Sequence, residues 1–302
     1  MTNLKSLILT FMAILISLNF HAQVTLGIVK GMLVEVNTKD KMEFIGHVES
    51  VNDTIIVLSH QNYNQLNLSV SNIKNIRQIS ESMVKNGVIW PDNPNYHRNF
   101  YSPTGIGMEK GQAYYQNLMV VWNHLGYAFT DYFTMGIDFE ILSILSGGDI
   151  FDSYRPLFAL TPKFSHSFND RIHAGVGAVL LSIPNSDRFF EAGITYAVGT
   201  YGTRDNNITL GFGLPFFEGE IQSEVPVFNL SGQYRFSRRF SFVSENWFFA
   251  PEELGFAGFG VQGLRYLGKN LNWDFGLVLY DLEDGLNVAP IPFVGLAIHF
   301  GK

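Results

Sequence analysis

The sequence predicts an all-β protein: a transmembrane, antiparallel, up-and-down β-barrel of about twelve strands, preceded by a small SH3/Sm-like β-barrel domain. Three observations predict it. The run from Tyr132 to Leu142, Y-F-T-M-G-I-D-F-E-I-L, places Phe133, Met135, Ile137, Phe139 and Ile141 on one face, with Thr134, Gly136, Asp138 and Glu140 on the other. Only a strand puts alternate residues on opposite faces. The pattern returns as F-A-L-T-P-K-F-S-H-S-F, I-T-L-G-F-G-L and L-N-W-D-F-G-L-V-L. An apolar leader at the N-terminus marks the chain for export.

Composition agrees. Of 302 residues, 46% are hydrophobic and only 16% charged, apolar for a soluble domain, yet mean hydropathy is barely positive, far below that of a helical membrane protein. No later run reaches the ~20 apolar residues of a membrane helix, so a spanning chain must cross with strands. Cysteine is absent, which excludes disulfides, thiolate chemistry, Cys-based zinc sites and an acylated lipoprotein N-terminus. A net charge of −7 gives no electrostatic reason to expect nucleic acid.

Taken in order, residues 1–22 form the signal peptide: Lys5, an apolar stretch from Leu7 to Phe20, and cleavage after Ala22. Residues 23–80 form the small domain. Short β-rich runs at 32–37, 42–51, 54–59, 66–70 and 73–79 are separated by Thr38-Lys39-Asp40-Lys41, Asn52-Asp53 and Asn62-Tyr63-Asn64-Gln65, all turn chemistry. The stretch G-M-L-V-E-V…F-I-G-H-V-E-S-V-N-D-T-I-I-V-L resembles Sm-like domains in rhythm, with Gly46 central. Such domains often bind RNA, but Glu35, Asp40, Glu43, Glu49 and Asp53 balance the basic residues and leave no basic stripe. A periplasmic interaction domain is the expectation.

Residues 81–99 read as a linker, because Pro91 and Pro94 bar it from the middle of a sheet. The segment N-F-Y-S-P-T-G-I-G-M-E-K-G-Q-A-Y-Y-Q-N follows. Its Tyr101, Ser102, Pro103, Lys110, Gly111, Tyr114, Tyr115, Gln116 and Asn117 match the form aromatic-S-P…K-G-x-x-Y-Y-Q-N. It resembles the start of the barrel in a widespread Gram-negative outer-membrane family with an N-terminal Sm/SH3-like domain. The resemblance implies location and fold, and no activity.

Strands of the 100–302 barrel are expected at 100–108, 112–129, 132–145, 157–168, 172–183, 189–203, 208–217, 225–236, 240–250, 256–267, 271–280 and 289–300. Short connections alternate with longer ones at 146–155, 184–188, 218–224, 251–255 and 281–288, as periplasmic turns alternate with external loops. Arg171, Arg204, Arg238, Arg239 and Lys269 fall in the short turns. Glu218, Glu220, Glu224, Glu252, Glu253, Asp281, Glu283 and Asp284 fall in or beside the long loops. Both chain ends then lie in the periplasm.

Alternation assigns an inward polar set: Asp138, Glu140, Lys163, His173, Glu191, Gln233, Arg235, Glu245 and Asp274. A charge facing lipid at mid-depth costs up to ~2–4 kcal/mol, so these groups should point inward. They line a solute path, or they fill the interior, with Lys163 and Arg235 neutralising the carboxylates. About eight strands give a filled interior and about sixteen a channel, and twelve lies between. Catalysis is not expected. His166 and its neighbours Ser165 and Ser167 face opposite sides of a strand, and His124 has no adjacent serine. The acidic run from Asp281 lacks calcium-loop spacing, and no phosphate-cradling or HExxH motif occurs. No cofactor is expected. The expected function is structural or interactive, through a periplasmic protein or cell-wall partner of the small domain, with outer-membrane lipid around the barrel. A passive or gated pore for small solutes is the alternative, and an outer-leaflet lipid enzyme comes third. A soluble barrel with the greasy face turned inward is the competing fold.

Overall fold

The computed structural model describes residues 28–60, 63–85, 88–141, 157–182, 190–249, 257–268, 271–281 and 286–301. The expected signal peptide and the long connections 146–155, 184–188 and 251–255 lie outside the described residues, as does half of 281–288. The chain divides into two compact units, Met1–Pro91 and Asp92–Lys302.

In the first unit, five strands form one antiparallel sheet in the order β4-β3-β2-β1-β5: β1 Leu33–Thr38, β2 Glu43–Val51, β3 Ile55–His60, β4 Tyr63–Ser69 and β5 Ile73–Gln78. Period-two alternation supplies its core. Val34 and Val36 from β1 meet Val48, Ile56, Leu58, Leu68 and Ile76. A side chain at Gly46 would collide with the Ser59 carbonyl across the β2–β3 pair, so glycine lets these strands cross closely. Register shifts at Asn37/Thr38 and Val48/Ser50 bend the sheet. A two-residue hairpin, β6 Val84–Lys85 with β7 Val88–Ile89, follows. Leu58→Ala is expected to destabilise this unit by about 2–5 kcal/mol. The readout is faster proteolysis within residues 33–78, with the second unit unaffected.

The second unit is a closed wall. Its strands are β8 Ala113–Leu118, β9 Trp122–Ala128, β10 Phe133–Glu140, β11 Phe158–Ser167, β12 Ile172–Ser182, β13 Ala192–Gly202 and β14 Asn206–Phe217. They continue with β15 Glu220–Ile221, β16 Val227–Arg235, β17 Phe240–Phe249, β18 Ala257–Leu267, β19 Leu271–Asp281 and β20 Leu286–Phe300. Each pairs antiparallel with its neighbours, β8 closes on β20, and β13 pairs β14. The two-residue β15 only extends a hairpin on β14, which leaves a twelve-strand ring.

The wall has its greasy face outside. Along β16, Val227, Asn229, Ser231, Gln233 and Arg235 are buried, while Phe228, Leu230 and Tyr234 are exposed. Phe164 is 55% exposed and Leu210 66%, while Asp138 is fully buried. Exposed aromatics (Phe129, Tyr132, Phe168, Tyr201, Phe236 and Phe240) ring the short-turn end. That rules out a soluble barrel around an apolar centre. No helix among the described residues is long and apolar enough to cross a membrane, whereas this wall crosses with strands. A closed sheet leaves no unpaired edge in hydrocarbon, and with this girdle it is a barrel of the outer membrane.

Three expectations need correction. Residues 112–129 are not one strand: β8 and β9 are joined by a tight turn in which Met119 and Val120 have φ of 53° and 67°. Two consecutive positive φ values are the hairpin geometry usually marked by Asn-Gly; Met-Val hides the turn inside an apolar run. Residues 100–108 are not a strand of the wall. Residues 92–99 are not a linker but part of the second unit. The lost strand and the split one cancel, which is why twelve survives as the total.

Candidate functional site: the barrel interior

Residues 92–110 run inside the wall as a re-entrant loop. The sequence N-P-N-Y-H-R-N-F-Y-S-P-T-G is built for irregular backbone, because its short polar side chains satisfy main-chain groups that no sheet ladder serves. Asn93 Oδ1 accepts from the Asn95 N–H (3.0 Å), and Thr104 Oγ1 donates to the Tyr96 carbonyl (2.8 Å). The loop begins at the short-turn end, where Asn93 Nδ2 donates to the Arg204 carbonyl (2.8 Å) and to Gln233 Oε1 (3.2 Å). It reverses at 99–102, closed by Asn99 N–H to the Ser102 carbonyl (2.9 Å) and Thr104 N–H to the His97 carbonyl (3.0 Å). It returns to Lys110, whose N–H donates to Asp131 Oδ1 (2.8 Å).

The tip is held by charge and by packing. Glu245 Oε2 accepts the Tyr101 and Ser102 N–H groups (2.9 and 3.0 Å), while Oε1 takes the Trp247 indole (2.8 Å). Arg265 is fully buried; it grips Asp274 through Nε (2.6 Å) and Nη2 (3.0 Å), and Nη2 also reaches the Asn99 carbonyl (2.6 Å). Arg98 brings a second guanidinium to the same carboxylate (3.8 Å) and donates to the Asn99 and Phe100 carbonyls (both 2.9 Å). Two cations thus share one carboxylate, with the Asn99 and Phe100 carbonyls and Asn95 Oδ1 (2.7 Å) as further acceptors. Phe100 packs on Phe293, ring centroids 4.9 Å apart, among Leu118, Val243 and Val261.

On the returning limb, Gly105 N–H donates to Thr200 Oγ1 (2.7 Å). A Cβ at Gly105 would lie 2.6 Å from the His173 carbonyl oxygen, so backbone lies against backbone. Gly105→Val is expected to lift this limb from β12, read as faster amide exchange across residues 97–108 with the strand amides unchanged.

Of the nine residues named from sequence, seven are buried. Glu245, Asp274, Gln233 and Lys163 meet the loop or its anchor. Lys163 Nζ donates to the His97 and Ile106 carbonyls (3.4 and 3.2 Å). Asp138 takes His124 Nδ1 (2.8 Å) and the Trp122 indole (3.1 Å). His173 stays near the turns with Ser167 Oγ (2.7 Å), as does Arg235 with Asp205 (2.8 Å). Glu140, the last residue of β10, and Glu191, just before β13, are half-buried. The expected neutralisation is corrected in part: Arg235 pairs with Asp205 and Lys163 with carbonyls, while Arg98 and Arg265 serve Asp274. Arg265 could have been found, since alternation in G-V-Q-G-L-R-Y-L sets it opposite Leu264. Nothing periodic marks Arg98.

No protein-family model matches the sequence, and no curated protein matches it. Among solved structures, the chain is similar to the KdgM porin (14% identity, TM-score 0.43), covering 63% of this chain and 99% of that one. It is similar also to the NanC porin (9% identity, TM-score 0.41; 62% of this chain and 97% of that). A third is OccAB4 of Acinetobacter baumannii (10% identity, TM-score 0.34; 88% and 68%). At these values nothing about cargo passes from those proteins to this chain.

Proposed function

We propose that the protein is an outer-membrane channel for small solutes, held closed by the re-entrant loop at 92–108. One observation carries this reading: a single re-entrant segment, bonded to inward side chains of the wall such as Glu245, Lys163 and Arg265, occupies the barrel's centre. Withdrawal of that segment would leave a polar lumen lined by Gln233, Glu245, Arg265 and Asp274, in a ring wider than the eight strands that self-fill. Short turns belong on the periplasmic side, and the first unit, read as an Sm/SH3-like module, belongs to that compartment. There it would meet a periplasmic protein or the cell wall. The reading is non-enzymatic and involves neither nucleic acid nor a cofactor.

The second reading is a sealed barrel that anchors the periplasmic module, and the density of loop–wall hydrogen bonds favours it. Planar-bilayer recording separates the two. The intact protein is expected to be silent or to open briefly. Replacing residues 93–106 with a short Gly-Ser bridge is expected to give steady unitary steps. If that variant keeps the heat-dependent gel mobility of a folded barrel yet passes no current, the anchor reading replaces the channel.

A further inference from the structure

A cavity of about 70 Å³ lies beside the loop, inside the wall. A water needs about 10–15 Å³ on the same measure, so there is room for a small ion with some of its hydration. Its lining includes Arg98 and Lys163 and contains no aspartate or glutamate. Arg98 is already paired with the Asp274 carboxylate (3.8 Å). Lys163 differs: it is 8% exposed, donates to two loop carbonyls, and has no ion pair among the described residues. An ammonium has three N–H donors and is costly to enclose without a counter-charge. Two further lining groups, Thr161 Oγ1 and His97 Nε2, are buried without a hydrogen-bond partner among the described residues. The hydroxyls of Tyr101, Tyr114 and Tyr196 belong to residues of the same lining.

We infer that this cavity is a binding site for a small monovalent anion of halide size, held by Lys163 with Thr161 and a protonated nitrogen of His97. Two cationic side chains, spare donors and limited volume all select that ligand, while the Asp138 carboxylate, bonded to the lining residue His124 (2.8 Å), bounds the site on that side. The anion would join both limbs of the loop to β11, because Lys163 already holds the His97 carbonyl of the outgoing limb and the Ile106 carbonyl of the returning one. The site does not depend on the barrel ever opening, so it stands or falls apart from the channel reading.

Bromide is the probe, with the full chain in detergent. Thermal unfolding is followed while bromide replaces gluconate at constant ionic strength. A saturable rise in the unfolding midpoint is expected, because a ligand that binds only the folded state stabilises it. Lys163→Met should flatten that rise. Thr161→Val should shift it to higher bromide, and serves alone if Lys163→Met does not fold. In crystals of the unsubstituted protein grown with bromide, an anomalous peak is expected within reach of Lys163 Nζ. A midpoint indifferent to bromide, an equal rise in the variants, or a cavity without anomalous signal would mean that it holds water alone and would overturn the assignment.

Discussion

Asp274→Asn is expected to loosen the loop by about 3–5 kcal/mol, the usual cost of removing one partner from a buried ion cluster. The two guanidiniums of Arg98 and Arg265, both buried, would lose the one carboxylate they share. Asparagine keeps the shape and can still accept a hydrogen bond, so the loss is one of charge. Amide exchange across residues 97–104 should then quicken by roughly a hundred-fold or more, at about 1.4 kcal/mol per ten-fold. If the loop is the channel's closure, bilayer recordings of the variant should also show frequent openings. Asp205→Asn is the control, since its partner Arg235 lies at the turns and Asp205 is partly exposed. Exchange that stays within about ten-fold of the unsubstituted protein would show that packing around Phe100, and not the ion cluster, holds the tip.

Leu210→Arg carries the second large effect. Leu210 lies mid-strand on β14, opposite Leu230, 66% exposed on the outer face. In a bilayer that exposure is to acyl chains. An arginine at mid-depth should cost about 2–4 kcal/mol, measured as a lowered denaturation midpoint in lipid vesicles. At Phe236, exposed in the turn next to β16, the same substitution should cost about 0–1 kcal/mol. Equal losses at the two positions would contradict the assigned depth.

The wall was legible because its signal is repeated and local. In β10, β16 and β19 every second side chain changes character, and reading Asp138, Gln233 or Asp274 as inward needs only the period of a strand. The loop was hidden for the opposite reason. Residues 92–108 have no period, and their order comes from long-range partners such as Glu245, Thr200 and Arg265, which lie far away in sequence. Pro91 and Pro94 argue against a central strand, but exclusion from a sheet also suits a segment enclosed by one. The β8–β9 turn was missed because Met119 and Val120 adopt a backbone that their side chains do not favour. Charges followed the same division. Parity finds Arg265, whereas Arg98 gains its role only from the folded path of the loop.

The order of segments along the chain also dictates how the contents come to be enclosed. The loop leads directly into β8, and β8 meets its second neighbour only when β20, the last strand, arrives across 113–118 and 295–300. Until that seam zips, the wall is an open ribbon with the loop lying on one side. No finished ring has to be threaded, because the segment to be enclosed is joined to the sheet's first strand.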